Sequence, residues 1–276
     1  MHKKTLFQHS LVHIALIALC VTTIFPFVWM VSTSLKDTSL VFSYPPVLIP
    51  NPAAFSNYRD AWVESQMGRA MLNSLLISIS STLGNIVISS VVAYSFAKID
   101  FKFKNTLFLL VLATVMVPYQ VTLIPLFVIF KSLGWINTFA PLIVPPLFGT
   151  ATNVFLMRQY LMRIPDAYRD SAYIDGCGHV RIWWKIMMPM AVPMTVSIAV
   201  LTFMAKWNEF LGPMLFLSSR ARMPLPLVLN IYRSEYVTKW HLLMAASCIA
   251  LVPIIVLYLI AQRYIISGIM LGGVKG

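Results

Sequence analysis

Few residues of this chain have the type and spacing to do chemistry, and most of those are scattered. The five histidines, His2, His9, His13, His179 and His241, do not gather with carboxylates, and Cys20, Cys177 and Cys248 stand alone, so no metal or redox spacing occurs. No Gly-x4-Gly-Lys-Ser/Thr phosphate loop is present, nor any Gly-Lys pair. Lys206 and Glu209 lie three residues apart and can pair on one helix face. The densest pattern is Arg163-Ile-Pro-Asp-Ala-Tyr-Arg-Asp-Ser-Ala-Tyr-Ile-Asp-Gly-Cys-Gly-His179, continuing to Met188-Pro189. Pro165 suits a first helical position and Asp166 favours the positive helix start. Gly176 after Asp175 is a natural stop, since glycine enters the left-handed region without a Cβ penalty. A short helix over about 165–175 is expected, with Asp170, Ser171 and Ala172 on it. A second helical stretch over about 179–188 carries Val180, Trp183, Trp184 and Met187 on an apolar side suited to a membrane interface.

The elements that must position this pattern follow from composition. Of 276 residues, 59% are hydrophobic and 11% charged, against about 25% charged in a soluble domain. So much apolar surface does not fit inside a soluble core, and collagen-like, disordered and disulfide-rich classes fail on the same figures. Runs free of Asp, Glu, Lys and Arg cover 5–35, 70–97, 105–130, 132–157, 186–205 and 240–262. A bilayer core needs about 20 helical residues, and the runs neither alternate nor shorten as barrel strands would. The expectation is an all-α integral membrane protein, one transmembrane domain over 1–276. Its six transmembrane helices fall at about 11–34, 70–97, 105–130, 138–158, 189–211 and 241–262, with a cytoplasmic loop at about 159–188. The uncharged run 38–58 holds Pro45, Pro46, Pro50 and Pro52 and is assigned to an aqueous loop, as is 214–239, which carries Arg220, Arg222, Arg233, Glu235 and Lys239. Lysines 3, 4, 98, 102 and 104, with the basic residues of the 158–185 segment, favour both termini inside. The first run is too long for a signal-peptide core and reads as a retained anchor. The net charge of +12 spreads over both faces and gives no reason to invoke nucleic acid.

Prolines interrupt several spans: Pro26, Pro118, Pro125, Pro141, Pro145, Pro146 and Pro253. They are either ordinary membrane-helix kinks or broken backbone lining an aqueous path. The second span is rich in Asn and Ser, including Asn73 and Asn85, so one face turns to protein or water. No carboxylate sits deep in a span as an ion-coupled carrier would need, which puts the energy source elsewhere.

The loop spacing carries a resemblance. Asp170-Ser171-Ala172, three residues, Gly176, nine residues, Ile186, one residue, Met188-Pro189 resembles the EAA loop of binding-protein-dependent ABC importer permeases, Glu-Ala-Ala-x3-Gly-x9-Ile-x-Leu-Pro, with Asp170, Ser171 and Met188 departing conservatively. Thr122–Phe127, Leu133–Thr138, Trp207–Pro213, Leu243–Ala246 and the ending Gly272–Gly276 are similar to the carbohydrate branch, the maltose-type second permease subfamily. Gly212 departs, because a large aromatic is common there. The resemblance implies a type I importer fold in a bacterial or archaeal inner membrane. It implies a second permease subunit, two ATPase subunits and an extracytoplasmic solute-binding protein. It implies a sugar as solute and no cofactor in this chain, ATP and Mg being bound by the partner ATPase. Coupling would rest on Pro165, Asp170, Ser171, Ala172, Asp175, Gly176, Ile186 and Pro189, with Ser171 and Ala172 small enough to enter a partner's cleft. For the solute path the nominees are Asn73, Asn85, Trp207, Asn208 and Glu209, although packing is the plainer role for each. The alternatives are an importer of glycerol phosphate or a polyol, a stand-alone secondary carrier, and a membrane scaffold without transport.

Overall fold

The computed structural model describes the backbone of residues 2–233 and 238–273 and the side chains of 12–233 and 238–264. Glu235, Val274–Gly276 and the side chains of Lys3 and Lys4 lie outside the described residues. The described chain is helical, without a named strand: α1 His2–Ser34, α2 Ser56–Glu64, α3 Met67–Lys98, α4 Lys104–Met116, α5 Tyr119–Ser132, α6 Ala140–Leu147, α7 Ala151–Leu161, α8 Ala167–Ile174, α9 His179–Met190, α10 Val192–Trp207, α11 Leu211–Phe216, α12 Leu225–Asn230 and α13 Trp240–Gly273. Four stretches are long and apolar enough to cross a bilayer: Val12–Ser34, Met67–Lys98, Ala140–Leu161 and Trp240–Tyr264. Two bent pairs, α4 with α5 and α9 with α10, bring the total to six when each is one span.

The third and fifth spans are therefore not straight rods. Between α4 and α5 the axis turns by 94°. Pro118 lacks an N–H and holds the residue before it out of the helical region, and Val117 is extended at φ −82°, ψ 112°. Between α9 and α10 it turns by 83°. Pro189 and Pro193 flank that turn, and a π-type turn over Trp183–Met187 relaxes the helix ahead of Pro189. Pro189, expected to open the fifth span, belongs to the helix before the bend.

The chain divides into two compact units, residues 1–67 with 228–252, and residues 68–227 with 253–276. In the first, the apolar side chains of α1 from Val12 to Val28 are exposed on every side, as on a helix facing lipid. The proline-rich run 38–58 is a folded non-spanning segment. It is fastened by the buried Asn57 amide, which donates to Ser34 O at 2.9 Å and Lys36 O at 2.8 Å. Tyr232 OH donates to Ala61 O at 2.9 Å, and Lys239 pairs with Glu64 at 2.6 Å.

The second unit is built on α3. Ser74, Ser78, Ser81, Asn85 and Ser89 recur at helical spacing and are all buried, forming a narrow polar face on which other helices pack closely. At one end of α3 a core gathers Ala93, Tyr94, Phe96, Phe108, Met157, Leu161, Ala172, Ile182 and Met187. A separate cluster joins Ile77, Phe130, Leu142, Phe216 and Leu217.

Candidate functional site

The short helix expected from the loop is α8. Asp166 is its N-cap residue, and Pro165 lies two positions before the first helical residue, Ala167, instead of occupying that position. The helix ends in a Schellman turn: Cys177 N–H donates to Ala172 O at 2.9 Å and Gly176 N–H to Tyr173 O at 3.0 Å. This geometry puts Gly176 at φ +78°, where a side chain is strained even though the surrounding space is open. Ala172, 5% exposed, packs into the core and forms part of the same groove as Ser171 and Asp175. Ser171, Asp175, Tyr168 and Ile174 face outward, Ile174 at 88% exposure. Ser171 and Asp175 line a groove of about 330 Å³ whose far wall is the half-buried Ile186.

The rear of α8 is held by charges. Lys98, whose side chain is 2% exposed, donates to Ile164 O at 2.6 Å and to Asp166 Oδ1 at 2.7 Å. Arg169 Nη1 donates to Lys98 O at 2.6 Å, and its guanidinium pairs with Asp170 at 2.8 Å, so the Asp170 carboxylate is engaged within the chain. Arg158 Nε donates to Phe96 O at 3.1 Å while its guanidinium lies 4.1 Å over the Phe108 ring. The last carbonyls of α3, which lack helical partners, are thereby satisfied by cations from α7 and α8. The Lys98 hydrogen bond, aided by the nearby charges, holds the Asp166 carboxyl below the usual range. The hydrogen bond to Asp170 pushes Arg169 up.

Through Asn85, α3 also borders a cavity of about 510 Å³. The fourth span is interrupted there. Pro145 and Pro146 end α6, Gly149 takes φ +82°, and a Cβ on it would meet Ser89 Oγ at 2.9 Å. Freed backbone groups are taken up by α3: Asn85 Nδ2 donates to Pro146 O at 3.1 Å, and Thr150 N–H donates to Ser89 Oγ at 3.4 Å. Asn153 Nδ2 donates to Asn85 Oδ1 at 2.6 Å and to Thr202 Oγ1 at 2.9 Å, linking α3, α7 and α10. On the cavity wall Glu209 accepts from Lys206 Nζ at 2.7 Å and from Tyr119 OH at 3.1 Å. A Cβ on Gly212 would collide with Glu209 Oε1 and come 3.0 Å from Tyr119 OH, so a glycine at this position leaves room for the cluster.

Of the solute-path nominees, Asn85 and Glu209 line the cavity. Asn73 does not; its amide donates to Ala221 O at 3.0 Å and Met223 O at 3.1 Å and ties down the 214–227 segment. Trp207 is buried and stacks on Phe203 at 5.4 Å. Asn208 Nδ2 donates to Met204 O at 2.9 Å at the end of α10. Asn153, Thr202 and Tyr119 were missed. Asn153 had a signal, a lone amide just after Pro-Pro and a glycine inside an apolar span; Thr202 and Tyr119 had none.

Residues 85–270 match the family described as binding-protein-dependent transport system inner membrane component. An arabinooligosaccharides transport system permease protein of Halalkalibacterium halodurans is 33% identical, covering 92% of this chain and 91% of the relative. A sulfoquinovosyl glycerol transport system permease protein of Agrobacterium fabrum is 29% identical over 95% and 93%. An sn-glycerol-3-phosphate transport system permease protein of Yersinia pestis is 32% identical over 94% and 94%. A chain from the crystal structure of a bacterial ABC transporter involved in the import of the acidic polysaccharide alginate shares the fold, with a TM-score of 0.81, 20% identity and coverage of 93% and 96%. Six spans, an EAA-type loop and these matches together place the chain in the binding-protein-dependent ABC importer family, as a membrane-embedded permease subunit and not an enzyme.

Proposed function

We propose that this permease forms half of a pore for an uncharged sugar or oligosaccharide. A second permease completes the pore, an extracytoplasmic binding protein delivers the solute, and two ATPase subunits holding ATP and Mg engage α8 from the cytoplasm. Both termini lie on the cytoplasmic side of a bacterial or archaeal inner membrane, a reading supported by the basic residues of the 98–104 and 158–185 segments. One observation carries the coupling role: α8 is fastened to α3 at its rear while its front, Tyr168, Ser171, Ile174 and Asp175, is open. A push on the front moves α3, because Lys98 and Arg169 join the two, and α3 holds the broken fourth span through Asn85 and Ser89. Alternating access is then a displacement of α3 and the span it braces around the cavity.

The solute class is supported by the cavity's charge. Lys206, its only cation among the described lining residues, is already paired with Glu209. A phosphate or sulfonate would have to break that pair, whereas sugar hydroxyls can meet Asn153, Thr202 and Tyr119 as donors or acceptors. The relatives' names span both classes, arabinooligosaccharides on one side and glycerol 3-phosphate on the other.

The test is Gly176→Leu in the complex reconstituted with its ATPase and binding protein. The left-handed backbone costs a leucine about 1–2 kcal/mol, enough to misplace a two-turn helix and too little to undo the membrane body. Insertion is expected to be normal and solute-stimulated ATP hydrolysis to be lost. Full stimulation in this variant would remove the coupling role from α8.

A further inference from the structure

We propose that α9 holds the headgroup of an anionic phospholipid between Arg181 and Lys185. The inference needs only the chain's membrane embedding and stands apart from the coupling role of α8. Because α9 turns 83° from α10, it runs close to the membrane plane when α10 crosses. Its buried side is fixed: Ile182 and Met187 are fully enclosed, and Trp183 Nε1 donates to Ser90 Oγ at 3.3 Å. The four apolar residues expected on one side therefore divide, with Trp183 and Met187 inward and Val180 and Trp184 outward, at 76% and 58% exposure.

Beside that exposed apolar pair, Arg181 and Lys185 sit one turn apart, both exposed and neither with an ion pair or hydrogen bond among the described residues. Val180, Arg181, Trp184 and Lys185 line one shallow groove of about 550 Å³. From Gly176 to Asn208 the chain contains no Asp or Glu, so nothing on this stretch of sequence competes for the two cations. Two cations at headgroup depth complement a phosphodiester, and a tryptophan with a valine beside them suits the start of an acyl chain. A partner protein would need an acidic surface reaching this depth, where anionic lipid is already present at high local concentration.

The full chain in nanodiscs is tested by native mass spectrometry after graded delipidation, with phosphatidylglycerol and phosphatidylcholine as the probes and inorganic phosphate as a soluble competitor. Wild type is expected to retain phosphatidylglycerol in preference to phosphatidylcholine and to keep it in millimolar phosphate. The double variant R181Q/K185Q is expected to lose that retention by roughly tenfold or more, with an unchanged melting temperature. W184S is expected to weaken retention while leaving the headgroup preference intact. Equal retention of both lipids by wild type, undiminished phosphatidylglycerol on R181Q/K185Q, or displacement by inorganic phosphate would each overturn the assignment. So would shielding of Trp184 only when the ATPase subunits are added, which would hand the groove to a protein partner.

Discussion

Lys98 is the residue on which the mount of α8 turns. Its ammonium is enclosed, donates to one carbonyl and one carboxylate, and its own carbonyl receives Arg169. Removing one member of a fully buried ion pair costs about 3–5 kcal/mol. Asp166 is 58% exposed and can turn to water, so the cost here is smaller. Lys98→Met is expected to destabilise the chain by about 1–2 kcal/mol and to leave ATP hydrolysis in the assembled complex unresponsive to solute. Thermal unfolding in detergent and ATPase assays read the two effects, and a variant unchanged in both would mean that the clamp transmits nothing. Little of this was legible beforehand. Lys98 counted only as one of three lysines in a short loop, because its partners lie 66 and 68 residues away and no local pattern links them. Gly176 was legible, since the demand for a left-handed residue after a short helix is local.

Among the elements, α8 was read to within two residues at its start and one at its end, and the spacing of the loop carried over because helix periodicity is local. The bent spans were harder. Pro118 announced a kink, but the 94° angle depends on what packs around it. Likewise, the boundary between α9 and α10 was placed at 188/189 whereas the bend falls at Ala191, because a charge-free count cannot tell the end of a helix along the membrane surface from the start of a span. The mount has a pH signature. Because Lys98 holds the Asp166 carboxyl below its usual range, the contribution of this pair is complete at neutral pH. It persists down to the ordinary carboxylate value of about 3.9 and is lost as pH falls further through the depressed value. Hydrogen exchange of the α8 amides, corrected for intrinsic rates, is expected to show steady protection from neutral pH down to about 4 and a drop below it. Asp166→Asn is expected to lack that acid step; the same step in the variant would assign it to another carboxylate.

Across the molecule, the sequence established class, span number and family pattern, because composition and motif spacing are properties of the chain alone. It did not reveal that one helix serves both sites. Asn85 and Lys98 stand thirteen residues apart on α3, about 20 Å along the axis, one bracing the broken fourth span and the other fixing α8. Only the packed structure shows which carbonyls are orphaned by the break and which side chains reach them. The central claim is that the outward face of α8 receives the motor and its inward face passes the motion on. Photo-crosslinking in the assembled, functional complex tests it most directly, with a benzoylphenylalanine at Ile174 and, separately, at Tyr168. The account predicts that both positions crosslink to the ATPase subunit and that the Ile174 yield changes when ATP is bound. Crosslinks from both positions to lipid or to this chain alone, in a complex that still hydrolyses ATP in response to solute, would contradict it.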